Sequence, residues 1–499
     1  MIPTPRTDLS PNSSEFERYP FIKPTGFREY DARWLYPEEI NLMGFQAIGM
    51  GLAKLFSNRD VPKRIVTGHD YRSYSNAVKQ ALISGLLSGG MEVHDIGLAL
   101  SPMAYFAQFD LDVPGVAMVT ASHNENGWTG IKMGLDRPLT FGPDEINELR
   151  DIVLGGEFET AGGARYLYHR ELRDRYIASL VDGADVKRKL KVVVACGNGT
   201  AGDFAPQVLT EVGCDVVPLH CDLDHSFPNY NPNPEDMGML GAVQEAVKSA
   251  KADVGFAFDG DGDRCGVIDN EGNAIFADKV GVMLARDISA SYPDAKFVAD
   301  VKSTGLFLTD PVLKENGATC EYWKTGHSYM KRYSHETGAI VGFEKSGHYF
   351  FNPPLGRGYD DGIVAALAVC GMLERSPGKS MSELAAELPH TWQSPTMSPH
   401  CADETKYGVV DRAIAHFTSL SETGKSIGGQ KVLKLITVNG IRIVLEDGTW
   451  GLVRASSNKP ELVIVVESPT SEANMRAIFA DIDAWLSDQP EVGDFNQKI

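Results

Sequence analysis

Short apolar runs that end in turns rich in Gly, Ser, Thr or Asp recur along this chain. Uninterrupted runs of β-branched and other apolar residues are typical of buried strands, and helical spacing of apolar residues follows each run. The predicted strands and their following helices lie at 64–68 with 75–89, at 192–195 with a helix that ends near 212, and at 296–299 with 304–315. Further strands are predicted at 92–96 and 215–219. The pattern predicts three α/β units whose polar turns lie at the carboxyl ends of strands, where such sheets bind ligands.

The C-terminal part of the chain has a different pattern. Alternating runs at 441–446 and 450–455 flank Asp447-Gly448, a dipeptide that favours a tight β-hairpin turn. A third strand is predicted at 462–467 and an amphipathic helix at 471–486. This pattern therefore predicts a small α+β domain. A stretch rich in Ser, Pro, Thr and His at 376–407, with a short helix at 382–388, predicts a linker before it.

A chain of 499 residues is too long for one ordinary hydrophobic core, so several domains are expected. The predicted segments are an N-terminal flexible tail, three α/β domains and a C-terminal α+β domain, at 1–20, 21–165, 166–272, 273–385 and 386–499.

The net charge of −20, from 47 basic and 67 acidic residues, argues against nucleic acid or an anionic membrane as the main partner. An anionic substrate must then be held by local cations. The seven cysteines contain no C-x-x-C pair and are expected to be reduced. The first 20 residues lack the apolar core of a signal peptide, and no apolar run is long enough to span a membrane, so a cytoplasmic location is expected. No oligomeric state follows from the sequence.

Asp259, Asp261 and Asp263 alternate with glycines directly after an apolar run at 254–258. Such a loop can be a solvated turn, but three neighbouring carboxylates repel one another without a cation. Converging carboxylate oxygens suit Mg²⁺ or Ca²⁺. An EF-hand is excluded, because loop positions six and twelve hold arginine and asparagine instead of glycine and glutamate. Arg264 can bind a phosphate on the same ion.

Ser122 lies in the sequence TASHN at 120–124, after an apolar strand at 116–119. Ser, Thr and Asn favour capped turns, which is the simpler interpretation. The alternative is a serine that carries a covalent group. Close to metal-bound carboxylates it would be a poor acyl nucleophile but a good phosphoryl acceptor.

Three further loops carry polar side chains. The sequence GFEKSGH at 342–348 offers a carboxylate and a hydroxyl that can bind neighbouring hydroxyls of a sugar, and turns at 300–304 and 324–328 supply lysines and a second imidazole. The sequence RASSNKP at 454–460 is either a phosphate cradle or a plain hairpin loop with surface cations.

Taken in this order, the loops at 120–124, 259–264, 342–348 and 454–460 resemble the phosphoserine, Mg²⁺, sugar-specificity and phosphate-binding loops of the α-D-phosphohexomutase family. The sequence FREYDAR at 27–33 resembles its N-terminal signature. The resemblance extends to about residue 472 and is closest to the phosphomannomutase/phosphoglucomutase branch. It implies four domains around a central cleft: three related α/β domains with mixed sheets and a small α+β domain.

The resemblance also implies a reaction. A phosphoserine at position 122 phosphorylates a hexose 1-phosphate or 6-phosphate, the bisphosphorylated sugar reorients, and its other phosphate returns to the serine. Hexose 1,6-bisphosphate is then both intermediate and activator, and Mg²⁺ is held by Ser122, Asp259, Asp261 and Asp263. The implied catalytic residues are Ser122, His123, Lys132, Arg33 and Arg264. The implied substrate-binding residues are Tyr30, Lys302, His327, Glu344, Ser346, His348, Arg454, Ser456, Ser457 and Asn458.

Proton transfer is left open among Lys302, His327, His348 and Arg33. The sugar is open too, because Glu344 and Ser346 would contact O3 and O4, which glucose and mannose share. The chain departs from the family pattern after Arg33 and in its last loop, where the usual Arg-x-Ser-Asn-Thr is Arg-Ala-Ser-Ser-Asn. Lys345 favours phosphomannomutase/phosphoglucomutase over phosphoglucosamine mutase without excluding the latter. A metal-dependent sugar phosphatase and a noncatalytic sugar-phosphate sensor are the alternatives.

Overall fold

The computed structural model describes residue 4 and residues 6–499. The chain forms two compact units. The first unit consists of Met1–Ala277 and Ser346–Ser382, and the second consists of Asp278–Lys345 and Glu383–Ile499. The predicted limits of the individual domains stay predictions.

The first sheet belongs to the first unit and has the strand order β1-β5-β4-β2-β3-β6. Its strands are β1 (Ala32–Leu35), β2 (Arg64–His69), β3 (Glu92–Leu98), β4 (Gly115–Val119), β5 (Trp128–Gly134) and β6 (Arg165–Tyr168). The pairs β2–β3, β2–β4 and β3–β6 are parallel, whereas β5 runs antiparallel to both β1 and β4. The accompanying helices are α1 (Ser14–Arg18), α2 (Leu42–Asn58), α3 (Ser75–Ser88), α4 (Ser101–Asp110) and α5 (Pro143–Gly155).

The second sheet, also in the first unit, has the order β11-β10-β9-β7-β8. Its strands are β7 (Lys191–Ala195), β8 (Asp215–Leu219), β9 (Val254–Phe258), β10 (Cys265–Asp269) and β11 (Ala274–Ile275), and its helices are α6 (Leu172–Asp182), α7 (Ala205–Glu211) and α8 (Met237–Ala250). Because β9 pairs antiparallel with β10 and Phe258 lies opposite Cys265, the predicted metal loop is the tight connection of this hairpin. The paired strands therefore fix both ends of that loop.

The second unit contains a parallel sheet in which β12 lies between β13 and β14. Its elements are α9 (Ala277–Ser291), β12 (Lys296–Asp300), α10 (Leu306–Thr309), α11 (Pro311–Glu315), β13 (Thr319–Trp323), α12 (His327–Thr337) and β14 (Val341–Phe343). Ala277, the first residue of α9, belongs to the first unit. The prediction of one helix at 304–315 is wrong. Asp310 has an extended ψ of 127° and caps α11, because the proline that follows disfavours helical backbone at the preceding residue.

The remaining elements complete both units. In the first unit these are β15 (Tyr349–Phe351) and α13 (Gly362–Glu374), and α14 (Met381–Ala386) crosses the boundary in sequence. The C-terminal sheet is antiparallel in the order β16-β20-β19-β18-β17. It consists of β16 (Trp392–Gln393), β17 (Val432–Ile436), β18 (Ile441–Leu445), β19 (Trp450–Ala455) and β20 (Leu462–Ser468), with α15 (Lys406–Glu422) and α16 (Glu472–Ser487). The predicted β18–β19 hairpin and final helix are confirmed.

The segment 1–20, predicted to be a flexible tail, contains an ordered part. Ser14–Arg18 forms α1, and the side chain of Phe16 is buried. The Asn41 amide donates hydrogen bonds to the carbonyl oxygens of Phe16 (2.8 Å) and Tyr19 (2.7 Å). An apolar side chain and a backbone-binding amide thus attach this segment to the first unit. Residues 1–3 and 5 lie outside the described residues.

Helices α2 and α3 cross at close range because each has a glycine at the contact. A Cβ on Gly85 would overlap the carbonyl oxygen of Gln46, and one on Gly49 would overlap that of Leu82. We expect Gly85→Ala to lower the free energy of unfolding by about 1–3 kcal/mol through overpacking. Urea denaturation measures this change.

Gly241 on α8 is the matched control, since a Cβ there would meet nothing within 4 Å. Gly241→Ala is expected to stabilise the protein by up to about 1 kcal/mol, because alanine is the better helix former. Equal effects of the two substitutions would contradict the packing argument.

No helix within the described part of the chain has both the length and the apolar character needed to cross a membrane.

Candidate active site

The loop between β9 and β10 places three carboxylates around one point. Asp259, Asp261 and Asp263 are fully buried, and one oxygen from each lies within 4.8 Å of the others. Gly262 has a φ of +74°, which favours glycine. A Cβ on Gly260 would lie 2.6 Å from the Ser122 carbonyl oxygen, so only glycine allows this approach. The three carboxylates thus converge on one point, as the sequence predicted.

The charges in this cluster are strongly coupled. Burial, followed by the charges of Asp261 and Asp263, raises the pKa of Asp259 well above its usual value. Burial also acts to raise the pKa of Asp263, but Lys132, His348 and Arg264 outweigh it, and the net pKa is well below the usual range. The Lys132 ammonium lies 2.7 Å from Asp261 Oδ2 and also contacts Asp263 Oδ2. One lysine therefore compensates part of a concentrated negative charge.

The donor set fits a hard divalent cation. It consists of carboxylate oxygens, which Mg²⁺ and Ca²⁺ prefer. Asp261 Oδ1 is buried and has no hydrogen-bond partner among the described residues, so this oxygen is available as a ligand. A second group of possible ligands, Asp263, His348 and Asp360, shares one carboxylate with the first and adds an imidazole.

Ser122 lies beside this cluster in a strained turn. Its φ of 51° is uncommon for a residue other than glycine, and its side chain is buried. Its hydroxyl donates to Asp259 Oδ2 at 3.1 Å and lies 3.3 Å from His123 Nδ1. The serine is thus directed at the carboxylates by its own loop.

Arg72 and Asp70 bind the loop that carries Ser122 through hydrogen bonds. Arg72 Nη2 donates to the carbonyl oxygens of Ser122 (3.0 Å) and Asn124 (2.6 Å). Asp70 Oδ2 accepts from Thr120 Oγ1 at 2.9 Å. These hydrogen bonds stabilise the unusual backbone conformation at Ser122.

The antiparallel pairing of β1 and β5 brings two more predicted residues to the serine loop. Arg33 lies opposite Gly130, and Lys132 lies two residues further along β5. Arg33 Nη1 donates to the Ala121 carbonyl oxygen at 3.2 Å, and its Nε bonds Asp31 at 2.9 Å. Tyr30 is buried just before β1. The pairing of β1 and β5 therefore fixes the backbone of both Arg33 and Lys132.

Arg264 and His348 adjoin the carboxylates on another side. Arg264 Nε lies 3.3 Å from His348 Nε2 and 3.8 Å from Asp259 Oδ2. His348 Nε2 is 3.3 Å from Asp263 Oδ1, and its Nδ1 is 3.1 Å from Ser346 Oγ. The imidazole therefore lies within reach of both the arginine and the carboxylate cluster.

In the second unit, Asp300 at the end of β12 connects three predicted loops. Its carboxylate accepts from Thr325 Oγ1 (2.8 Å) and from the Lys345 backbone N–H (3.2 Å), and Lys302 Nζ lies 3.8 Å away. Burial is the main cause of its raised pKa. Glu344 Oε1 accepts from the Gly326 N–H at 2.6 Å. His327 is buried at the start of α12.

The loop after β19 carries the predicted phosphate ligands. Arg454 Nη2 donates to Ser457 Oγ at 3.2 Å, and the Arg454 Nε is buried without a hydrogen-bond partner among the described residues. Lys406 Nζ donates to the carbonyl oxygens of Ser456 (2.6 Å) and Lys459 (3.0 Å) and so holds the loop. Ser456 and Ser457 are buried in this turn, which Asn458 completes.

Sequence reasoning missed several residues that support these loops. Asp70 follows β2 and Asp300 ends β12, and a polar residue at the end of a buried strand is the signal that could have identified both. Ser101, whose hydroxyl donates to Asp261 Oδ2 at 2.5 Å, and Lys406 gave no such signal, because they begin helices far away in sequence.

Four models of phosphoglucomutase/phosphomannomutase domains match the chain in order. Alpha/beta/alpha domains I, II and III match residues 24–160, 174–272 and 276–392, and the C-terminal domain matches 405–484. The chain belongs to the phosphoglucomutase/phosphomannomutase family. The predicted fold class, three α/β domains followed by a small C-terminal domain, is confirmed.

Curated relatives cover most of the chain. It is 33% identical to the phosphomannomutase/phosphoglucomutase of Pseudomonas putida, over 91% of this chain and 93% of the relative. It is 32% identical to the phosphoglucomutase of Neisseria meningitidis, over 90% and 94%. Among solved structures, a phosphoglucomutase/phosphomannomutase family protein from Burkholderia thailandensis has a TM-score of 0.83 at 29% identity, covering 95% of this chain and 99% of that one. These matches place the protein in a family of isomerases.

Asp361 near the carboxylate cluster gives a pH-dependent prediction. It caps α13 and accepts a hydrogen bond from Tyr176 Oη at 2.7 Å, and burial raises its pKa to about 7. The folded protein therefore holds a proton that the unfolded chain releases near its usual pKa of about 4. Asp361 thus makes stability fall as pH rises from about 4 to about 7.

We expect Asp361→Asn to weaken this fall in stability, since an amide caps the helix without titrating. Urea unfolding of both proteins at pH 5.5 and pH 8 measures it. The variant should gain stability relative to the wild type at pH 8. An unchanged difference between the two pH values would contradict the assignment.

Proposed function

We propose that this protein interconverts hexose 1-phosphate and hexose 6-phosphate of glucose, mannose or both, through a phosphoryl group carried by Ser122. The observation that carries the proposal is the 3.1 Å contact of Ser122 Oγ with Asp259 inside the buried carboxylate cluster. A hydroxyl so placed is suited to phosphoryl transfer, which depends mainly on positioning and neutralisation of charge. Family membership supports the same reaction class.

The cations around Ser122 fit its proposed role. Lys132 and Arg264 border the carboxylates, and Arg33 binds the serine loop. Asp259, Asp261, Asp263 and phosphorylated Ser122 would hold Mg²⁺, which when bound would offset charge on the transferring group. His123, whose ring lies 3.3 Å from Ser122 Oγ, supports the phosphorylated side chain.

Each transfer moves one phosphoryl group and one proton. The sugar hydroxyl loses its proton to a base, its oxygen forms the new P–O bond, and the bond from phosphorus to Ser122 Oγ breaks. The second half-reaction returns the other phosphate to Ser122 after the hexose 1,6-bisphosphate has reoriented. His348 is a candidate base because its Nε2 lies near both Arg264 and Asp263. The other candidates for proton transfer are Lys302, His327 and Arg33.

The remaining loops hold the substrate. Glu344 and Ser346 contact the sugar hydroxyls, and Tyr30 lies with Arg33 in the N-terminal signature. Arg454, Ser456, Ser457 and Asn458 bind the phosphate that does not react. A buried guanidinium with an unpartnered Nε beside two hydroxyls supports this assignment, because such groups suit a phosphate ligand.

The test compares rates on glucose 1-phosphate, mannose 1-phosphate and glucosamine 1-phosphate with Mg²⁺ and the matching 1,6-bisphosphate, followed by ³¹P NMR. We expect the 6-phosphates of glucose or mannose to form without release of inorganic phosphate. Net phosphate release would indicate a phosphatase, and a preference for glucosamine 1-phosphate would indicate a phosphoglucosamine mutase. A protein that binds the sugar phosphate, shows no turnover and carries no phosphate on Ser122 would be a sensor.

A further inference from the structure

Arg442 is a fully buried arginine, the second residue of β18, and β18 pairs with β19, the strand that carries Arg454. Burying a guanidinium is unfavourable unless its donors are satisfied and its charge is compensated. The partners of Arg442 therefore indicate what the residue does.

Two hydrogen bonds of Arg442 hold the backbone on both sides of Lys302, and a third runs from its Nη2 to Tyr322 Oη at 3.3 Å. Its Nη1 donates to the carbonyl oxygen of Val301 at 2.8 Å and to that of Ser303 at 2.7 Å. The guanidinium centre also lies 3.5 Å from the ring centroid of Trp450 and 4.1 Å from that of Tyr322. Contact with both rings helps to orient the planar group toward the two carbonyls.

Glu467 on β20 holds the end of the same loop. Its carboxylate accepts from Thr304 Oγ1 and from the Gly305 N–H, both at 2.7 Å. It also accepts from Trp450 Nε1 at 2.7 Å, which fixes one of the rings beside Arg442. The loop at 301–305 is thus attached at two points to the sheet whose strand β19 carries Arg454.

We infer that Arg442 is a positioning residue for Lys302. The inference rests on the proposed function, in which Lys302 contacts the substrate as a candidate base and Arg454 binds the phosphate that does not react. Because Arg442 fixes the backbone at Val301 and Ser303 to β18, one sheet determines where the lysine and the phosphate loop lie relative to each other. A hexose phosphate then meets both groups at a separation that the contacts of Arg442 and Glu467 restrict.

The test is a double-mutant cycle with Arg442→Met and Lys302→Met. Methionine keeps much of the apolar stem and removes every donor. We expect Arg442→Met to lower kcat/KM for glucose 1-phosphate by about 10- to 100-fold, since a misplaced contact group can cost that much. The double variant should fall little further than Lys302→Met alone, because Arg442 acts through the lysine. Fully additive losses would overturn the inference.

Two further variants separate positioning from stability. Arg442→Lys retains a donor and should recover part of kcat/KM, whereas equal losses in the lysine and methionine variants would contradict positioning through the carbonyls. Ile482→Ala removes a buried side chain from the C-terminal core without touching the 301–305 loop. At temperatures well below its Tm it should keep wild-type kcat and KM although its Tm falls.

A wild-type protein without isomerase activity would overturn the proposed function instead. The same cycle is then measured as affinity for glucose 1-phosphate by calorimetry. The inference is supported if Arg442→Met and Lys302→Met each lower the affinity and the double variant binds no more weakly than Lys302→Met. Additive losses of affinity in the double variant again overturn it.

Discussion

Ser122→Ala is expected to lower kcat by at least about 1,000-fold, because alanine has no oxygen that can carry the phosphoryl group. The other hydroxyl of this loop, on Thr120, donates to Asp70, whereas Ser122 Oγ lies 3.1 Å from Asp259 Oδ2. Turnover of glucose 1-phosphate and the intact mass of the protein are the measurements. The wild type should show the added mass of one phosphate, which the variant should lack.

Ser289→Ala is the control for the loss of a buried hydroxyl. Ser289 is fully buried in α9, and its hydroxyl donates to the Arg286 carbonyl oxygen at 3.1 Å. Its removal should lower stability by about 1 kcal/mol and leave kcat unchanged. Near-normal turnover in Ser122→Ala would exclude a phosphoserine mechanism at this position.

Asp261→Asn is expected to weaken Mg²⁺ binding at least about tenfold, since it removes one of three clustered negative charges and one of the two oxygens of this side chain. A cation that binds only the folded protein raises its Tm with concentration. Mg²⁺ should therefore raise the Tm of the wild type, and much higher concentrations should be needed for the variant. Chelation should abolish wild-type activity, and added Mg²⁺ should restore it.

Asp236→Asn makes the same chemical change elsewhere in the first unit. Asp236 caps α8 by accepting from the Met239 N–H at 2.9 Å, and asparagine is an equally good cap. This variant should keep the Mg²⁺-dependent rise in Tm and the wild-type activity. A wild-type response to Mg²⁺ in Asp261→Asn would show that the cation binds elsewhere.

Local sequence signals were sufficient for much of the candidate site. The aspartates at 259–263 and Ser122 each follow an unbroken apolar strand, in two different sheets, and α/β sheets bind ligands at the carboxyl ends of their strands. The Asp-Gly turn at 447–448 likewise predicted the β18–β19 hairpin. These features depend on residues close together in the chain, which a pattern along the sequence can report.

Only the tertiary structure decided which distant groups meet. Lys132 contacts Asp261 and Asp263 across 129 and 131 residues, and Arg72 binds the Ser122 carbonyl across 50. Arg442 occupies a strand position that gave no sign of its role, because its partners come from other strands and loops.

The sequence by itself determined the positions of several strands along the chain, the loops that carry chemistry and the family resemblance. The partners of each buried charge were decided by packing. A buried charge is stable only where the fold supplies compensating groups, and those groups come from segments far apart in the chain.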